Sequence, residues 1–540
     1  MSAHEDSSTE DKVLPEQTTG TGTGGETGKV GAVLIIGGGI SGMQSALDLA
    51  DSGFKVYVLD ISPSIGGAMS QLDKTFPTND CAMCIMAPKL VETGRHHNIK
   101  LITNADLEKV EGDAGNFTVA IEKRPRYVDE SRCTGCGICT QRCPIEAKDE
   151  YNKGLKRRKA IHVRYPQAVP PIHVIDQDIC IGCGLCETQC EAEAIRYSQE
   201  PQHIEISVGS IILSPGFEEF NIFSKRREYG YGKFPNVISS LEMERMLSAT
   251  GPFNGLVLRP SDGEIPKKVA FIQCVGSRDR SIGNPYCSSV CCMFAIKEAV
   301  IAQEHTPGLQ STIFFMDMRA FGKEFDDYYI RAEEEHKIRF VKNNRVPGID
   351  ENKDTNNLQV TYVDEGELKK EEFELVVLSV GMNAPKTAHM LSEKLGIELN
   401  EFDFCKTSVL SPLMTTREGV FSSGAFSTPK DIPDTVAQAS GAASCASGIV
   451  AGERDTLVEV KEYPDEKDLS GEEPRIGVFV CHCGINIGGV VNVPDVVEYA
   501  RTLPNVVYAE NNPYTCSQDT QQKIKSKIEE HDLNRVVVAS

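Results

Sequence analysis

Strand-length apolar runs recur along the chain, separated by helix-like and polar stretches. "VLII" at 33–36 leads into a glycine-rich turn, a helical run and a second strand ending in Asp60, which predicts a βαβ unit over 30–60. "FTVAIEKR" (117–124) and "HIEISVGSIILSPG" (203–216) predict further strands. Between them a cysteine-dense block, 129–198, interrupts the pattern and is expected as a module inserted into a β-hairpin loop. Loop-closure entropy grows slowly with length, so a hairpin tolerates such an insertion. A second α/β region follows at 236–345, then strands within 358–381 and a helix near 434–451. Residues 455–474 are charged and carry Pro464 and Pro474, the pattern of a linker. A new α/β unit starts at 475 and ends in the strand "RVVVAS". An apolar parallel strand needs cover on both faces. This unit is therefore expected to be incomplete as given, or completed by a partner.

Composition narrows the class. The 540 residues suffice for roughly three to four domains, and 40% hydrophobic content supports real cores. A net charge of −22 argues against nucleic acid or an anionic membrane surface as partner. No run approaches the ~20 apolar residues that span a bilayer. The polar start "MSAHEDSSTEDK" is not a secretory signal, and residues 1–29 are expected as a disordered tail. Nineteen cysteines are a high count, and an odd number argues against a pure disulfide framework. A reducing, cytoplasmic compartment would keep these thiols free for metal. No Ser-His-Asp or paired-carboxylate pattern is evident, which disfavours hydrolysis.

The first βαβ unit carries Gly37, Gly39 and Gly42 between strand and helix. Such glycines make a tight turn and admit a pyrophosphate to backbone N–H groups at the helix N-terminus. Asp60 is placed to accept hydrogen bonds from the adenosine ribose. The segment 415–444 resembles the second flavin motif of the glutathione reductase/thioredoxin reductase superfamily, with Gly424 followed by Ala425 where an Asp is usual. That resemblance favours FAD over NAD.

"CTGCGICTQRC" and "CIGCGLCETQC" repeat one spacing, C-x2-C-x2-C-x3-C. In this run the close triple wraps three corners of a cubane and the fourth cysteine ligates the other cluster. Cys133, Cys136, Cys139 and Cys190 are thus expected on one [4Fe–4S] cluster, and Cys180, Cys183, Cys186 and Cys143 on a second. Zinc is the competing reading, but it rarely uses two interleaved quartets. "FIQCVGSRD", where a second nucleotide loop would be expected, lacks GxGxxG. Cys274, Cys287, Cys291 and Cys292 stand there instead, as a ligand set for a third [4Fe–4S] cluster, a buried thiol group or a disulfide.

Cys81 and Cys84 form a CxxC, read either as a redox pair or cluster ligands, or as an inert structural pair. Cys481, Cys483 and Cys516 are one thiol short of a cubane set; they are candidate ligands of a further cluster whose fourth ligand would lie beyond Ser540.

The order of flavin loop, "NDCAMCIMAPKL", inserted ferredoxin, "NPYCSSVCCMFAIKEA" and "PKDIPDTVAQAS" resembles the A-type subunit of heterodisulfide reductase. The resemblance covers about 30–450 and extends into 475–540, which looks like that family's N-terminal domain placed after the core, as in a fragment of a longer, duplicated member. It implies an α/β fold with two dinucleotide-binding domains and an inserted α+β bacterial-type 2[4Fe–4S] ferredoxin. FAD-domain segments are expected at 30–128, 199–235 and 346–454, with the second domain at 236–345. It also implies a cluster beside the flavin and a lysine, Lys297, approaching the isoalloxazine. The expected role is an electron-transfer component converting between two-electron and one-electron chemistry, by bifurcation as proposed for the family. Expected partners are ferredoxin and other subunits (heterodisulfide reductase B/C-like, hydrogenase or dehydrogenase). The acceptor would be a heterodisulfide or another low-potential compound such as benzoyl-CoA. The alternatives are a self-contained NAD(P)H-oxidising flavoprotein and a non-catalytic wiring scaffold.

Overall fold

A computed structural model describes residues 28–343, 348–460 and 465–540. The tail expected over 1–29 lies outside them apart from Gly28 and Lys29.

The first domain is built on five parallel strands in the order Val420–Ser422, Ser210–Leu213, Ala32–Ile36, Lys55–Asp60, Ile99–Thr103. The central strand is buried throughout, which is why its sequence is apolar without alternation. Helices Ile40–Asp51, Ala82–Arg95 and Ile432–Ile449 cover one face through Met43, Ala46, Met86, Leu90, Ala443 and Ala446. The buried side of Ile432–Ile449 is mostly alanine, so it lies close against Ile40–Asp51. An antiparallel sheet of Gln202–Val208, Asn116–Lys123 and Ala105–Asp113 covers the other face with Phe117, Val119 and Ile121.

The cysteine-dense block leaves and re-enters this antiparallel sheet at one rung, where Lys123 pairs with Gln202. It is also held from the side. Ile65 N–H donates to Val169 O at 2.9 Å, and the Tyr165 hydroxyl donates to Ile65 O at 2.5 Å. The buried Arg126 guanidinium donates to Pro63 O at 2.7 Å and to Thr103 Oγ1 at 2.6 Å.

The second domain has five parallel strands, ordered Val237–Ser239, Leu375–Val380, Lys268–Val275, Gln310–Phe315, Arg339–Lys342. The expected boundary at 345 is corrected by this order. Leu375–Val380 is the second strand of the sheet, and Ile349, Leu358, Val360 and Phe373 of the preceding meander pack against it. The domain therefore runs on to the short strand Met382–Asn383.

The C-terminal unit is a parallel sheet, Val506–Asn512, Ile476–Cys481, Arg535–Ala539, with helix Val493–Arg501 closing its core through Val493, Val497 and Ala500. Val536, Val537 and Val538 on the outer strand are 42–51% exposed. Among the described residues no helix is long and apolar enough to cross a membrane.

Candidate functional site

The glycine loop is set by close contacts that only glycine permits. Gly37 has φ +108°, and a Cβ there would lie 2.1 Å from Ser214 O. A Cβ on Gly42 would lie 1.8 Å from Gly37 O, so helix Ile40–Asp51 can begin hard against the turn. Asp60 is buried and braces the loop: Oδ2 accepts from Gly38 N–H and Oδ1 from Ser62 N–H, both at 2.7 Å. Burial pushes its carboxyl up, while those two bonds and the Arg164 charge pull it down.

These residues border a cavity of about 800 Å³ between the two domains, large enough for a dinucleotide. Gly37, Gly39, Asp60, Gly424 and Ala425 all line it. Gly42 does not; its part is to let helix and loop close. Helix Ile432–Ile449 points its N-terminus into the same cavity, with Asp431 capping it by accepting from Asp434 N–H at 2.9 Å. Such an end favours an anion. Lys430, which lies in the segment resembling the second flavin motif but is not among its candidate residues, also lines the wall. Its ammonium donates to Gly424 O and to Ser427 Oγ, each at 2.6 Å, and burial lowers its pKa to about 8. The sequence signal for it is its place in "PKDIPDTVAQAS", just before the cap Asp431.

In the inserted module, Cys143, Cys180, Cys183 and Cys186 line one small cavity together with Ile145, Ile161 and Ile175. This is the interleaved set expected from spacing. The Cys139 thiol is pushed up to about 11, first by burial and also by the adjacent Cys133 and Cys136. Cys133 and Cys190 pack with it on the module's core of Val128, Ile161, Ile175 and Ile195. Among the described residues no three His, Cys, Asp or Glu side chains converge tightly enough to share a single ion. A cubane makes a looser demand, because each thiolate meets its own iron corner.

The second-domain cysteines also come together. Cys274 sits at the end of strand Lys268–Val275, and Cys291 and Cys292 open helix Cys291–His305. Burial first, then Cys274, Cys292 and Cys287, hold the Cys291 thiol well above its ordinary value. Cys292 is pushed up to about 12 by burial, with Cys274 and Cys287 adding to it. Cys291 in addition lines the dinucleotide cavity.

Lys297 departs from expectation. It is buried, does not line the cavity, and forms an ion pair with Glu244 of helix Ser240–Leu247. Phe294, one turn earlier, occupies the cavity wall, with Lys297 Nζ 4.7 Å from its ring centre. Glu298 is buried beside this pair; burial and the Glu244 charge hold its carboxyl well above the usual range.

Neither Cys81 nor Cys84 lines the cavity, so they do not take the flavin-facing place of a redox disulfide. Cys81 caps helix Ala82–Arg95, its sulfur accepting from Cys84 N–H at 3.4 Å. A hydrogen bond from the Cys84 thiol lowers Cys81 to about 6, against the effect of burial. The other neighbours of this pair are Cys483 and Cys516 of the C-terminal unit.

Residues 289–443 match the profile described as pyridine nucleotide-disulphide oxidoreductase. Residues 35–89 match an NAD(P)-binding Rossmann-like domain, and 126–149 and 173–196 each match a 4Fe-4S binding domain. The fold is that of FAD-binding disulfide oxidoreductases, with 4Fe–4S modules inserted. The A-type subunit of the H(2)/formate:CoB-CoM heterodisulfide,ferredoxin reductase of Methanococcus maripaludis is 52% identical over 418 residues, covering 77% of this chain and 63% of that protein. The corresponding iron-sulfur A-type subunit of the CoB–CoM heterodisulfide reductase of Methanocaldococcus jannaschii is 49% identical over 442 residues, 81% of this chain and 67% of that protein. Thioredoxin reductase of Lactococcus lactis superposes with a TM-score of 0.44 at 16% identity, over 78% of this chain and 99% of that one. The chain spans about two thirds of the length of these heterodisulfide reductase relatives. It belongs to the family of A-type subunits of heterodisulfide reductase, which are oxidoreductases.

Proposed function

We propose that the chain is the electron-distributing part of a multi-subunit oxidoreductase, holding FAD in the interdomain cavity and [4Fe–4S] clusters on its cysteines. The observation that carries this reading is Cys291, which lines the cavity and also belongs to the second-domain cysteine group. FAD exchanges electrons in pairs and [4Fe–4S] clusters singly. The protein's own part is placement. The glycine loop and the N-terminus of Ile432–Ile449 bind and orient the dinucleotide, and Phe294 and Leu241 help shield the cavity from water. Cys291 brings a sulfur ligand to the cavity wall. The inserted module carries the route onward to ferredoxin or to a partner protein. Names of the relatives mention ferredoxin and heterodisulfide, which supports both as partner classes, with splitting of electron pairs at the flavin. Reduction of the final acceptor would take place on another subunit.

Anaerobically prepared protein is expected to carry one FAD and about eight to twelve irons per chain, from two or three four-iron clusters. Fewer than about four irons, or zinc in their place, would refute the reading. Rapid bleaching of the isolated chain by NADH would favour a self-contained NADH oxidase instead.

Lys430 yields a pH test. Lys430 lines the cavity, and burial lowers its pKa to about 8. An anionic dinucleotide binds better to the protonated form, so the FAD Kd is expected to rise by up to about tenfold per pH unit above 8. Fluorescence titration with Lys430→Met protein should give a flat profile over the same range. A wild-type profile equally flat would remove Lys430 from the site.

A further inference from the structure

The stretch 149–169 of the inserted module, between its two cysteine runs, folds back against the wall of the dinucleotide cavity. The Tyr151 hydroxyl donates to Ser70 O, and Gln71 Nε2 donates to Tyr151 O at 2.7 Å. Tyr151 and Tyr165 stack with their ring centres 5.1 Å apart. Gly66, at φ +128°, makes room for them, since a Cβ there would collide with the Tyr165 hydroxyl. On its other side Gly66 N–H donates to Gly38 O at 2.8 Å, and a Cβ on Gly67 would lie 2.9 Å from Gly39 Cα. Module, turn 65–67 and glycine loop are thus in contact in that order.

Arg164 precedes Tyr165 in this stretch, is half-buried, and lines the cavity itself. Its charge acts on the Asp60 carboxyl. That places it at the end of the second strand, where a unit of this kind receives the adenosine ribose. Ile61 and Ser62 of the same turn line the cavity there too. Among the described residues three cationic side chains line the cavity: Lys74, Arg164 and Lys430. Lys74 lies 3.6 Å from Glu304, and Lys430 is held by Gly424 O and Ser427 Oγ. The Arg164 guanidinium makes neither an ion pair nor a hydrogen bond with any described residue. A guanidinium presents five N–H donors in a rigid plane, a shape matched to phosphate oxygens and to flat rings. A dinucleotide in the cavity would supply both.

We propose that Arg164, supplied by the inserted module, is a FAD-binding residue whose guanidinium meets the adenosine diphosphate half of the cofactor. The module is then part of the flavin site as well as a carrier of clusters, and bound FAD ties it to the flavin domain. This inference rests on the FAD reading of the cavity and adds to it a residue from outside both flavin motifs.

The test uses the full chain, purified without oxygen, stripped of flavin and titrated with FAD by fluorescence. Arg164→Met is expected to bind FAD about tenfold or more weakly, the loss of one hydrogen-bonded contact to a charged group. Iron per chain and the urea midpoint of the flavin-free protein should match wild type. A wild-type Kd in Arg164→Met, or weaker binding accompanied by lost iron or a lowered urea midpoint, would overturn the assignment of Arg164. Wild type that takes up no FAD would instead refute the reading of the cavity. Should the variant precipitate, arginine-selective labelling of the wild type with butanedione decides the matter. Mass spectrometry of the peptide carrying Arg164 should show several-fold slower modification when FAD is present. Equal modification with and without FAD would overturn the proposal.

Discussion

Gly42→Val protein should emerge with its iron but without its flavin. The new Cβ would stand 1.8 Å from Gly37 O, a distance no rotamer changes because the obstacle is backbone. The turn must then swing away from the helix, and with it Gly37 and Gly39, which line the cavity. Strain of about 3 kcal/mol, the upper range for one badly placed residue, corresponds to roughly a hundredfold weaker binding. Visible flavin absorbance per chain after desalting reads this directly. Cys143, Cys180, Cys183 and Cys186 line a separate cavity, and none of the module's cysteines lines the one beside Gly37, so iron per chain should stay within error of wild type. A Gly42→Val preparation with full flavin would remove the dinucleotide reading of this loop.

Lys297→Met should be the most destabilising single change in the second domain. The Lys297 and Glu244 side chains are 1% and 0% exposed, and Glu298 is buried beside them. Removing the lysine leaves the buried Glu244 carboxylate, which also accepts from Asp73 N–H at 2.9 Å, without its counter-charge beside the carboxyls of Asp73 and Glu298. Breaking a buried pair in this way costs about 3–5 kcal/mol. Urea denaturation should show the transition at clearly lower denaturant with little change in slope. Adding Glu244→Gln to Lys297→Met should recover part of the loss, since the uncompensated charge is gone. A change below about 1 kcal/mol in the single variant would show that the pair is not buried as described.

How much of this was legible in the sequence depends on the range of the interaction. The glycine loop, Asp60 and the two ferredoxin runs are local patterns: the repeated spacing puts Cys143 with the Cys180 set, and Cys143 lines one cavity with Cys180, Cys183 and Cys186. Helix Cys291–His305 was legible as an element, but the partner of Lys297 was not, because Glu244 belongs to another helix more than fifty positions away. The domain boundary moved from 345 to 383 for a similar reason. Strand propensity marks 375–378 as a strand and says nothing about which sheet receives it. Lys430 was overlooked because a single lysine in a polar turn resembles any solvated one. The meeting of Cys81 and Cys84 with Cys481, Cys483 and Cys516 is a contact between distant segments that no local pattern encodes.

The rung at which Lys123 pairs with Gln202 bears on kinetics. With both of its ends anchored in one rigid ribbon, and Arg126, Val169 and Tyr165 clamping its flank, the inserted module cannot swing like a carrier on a single tether. On the proposed function, transfer between flavin and module would be a first-order event over a fixed gap, indifferent to viscosity and protein concentration, and the handover to an external acceptor would be the diffusive, salt-sensitive step.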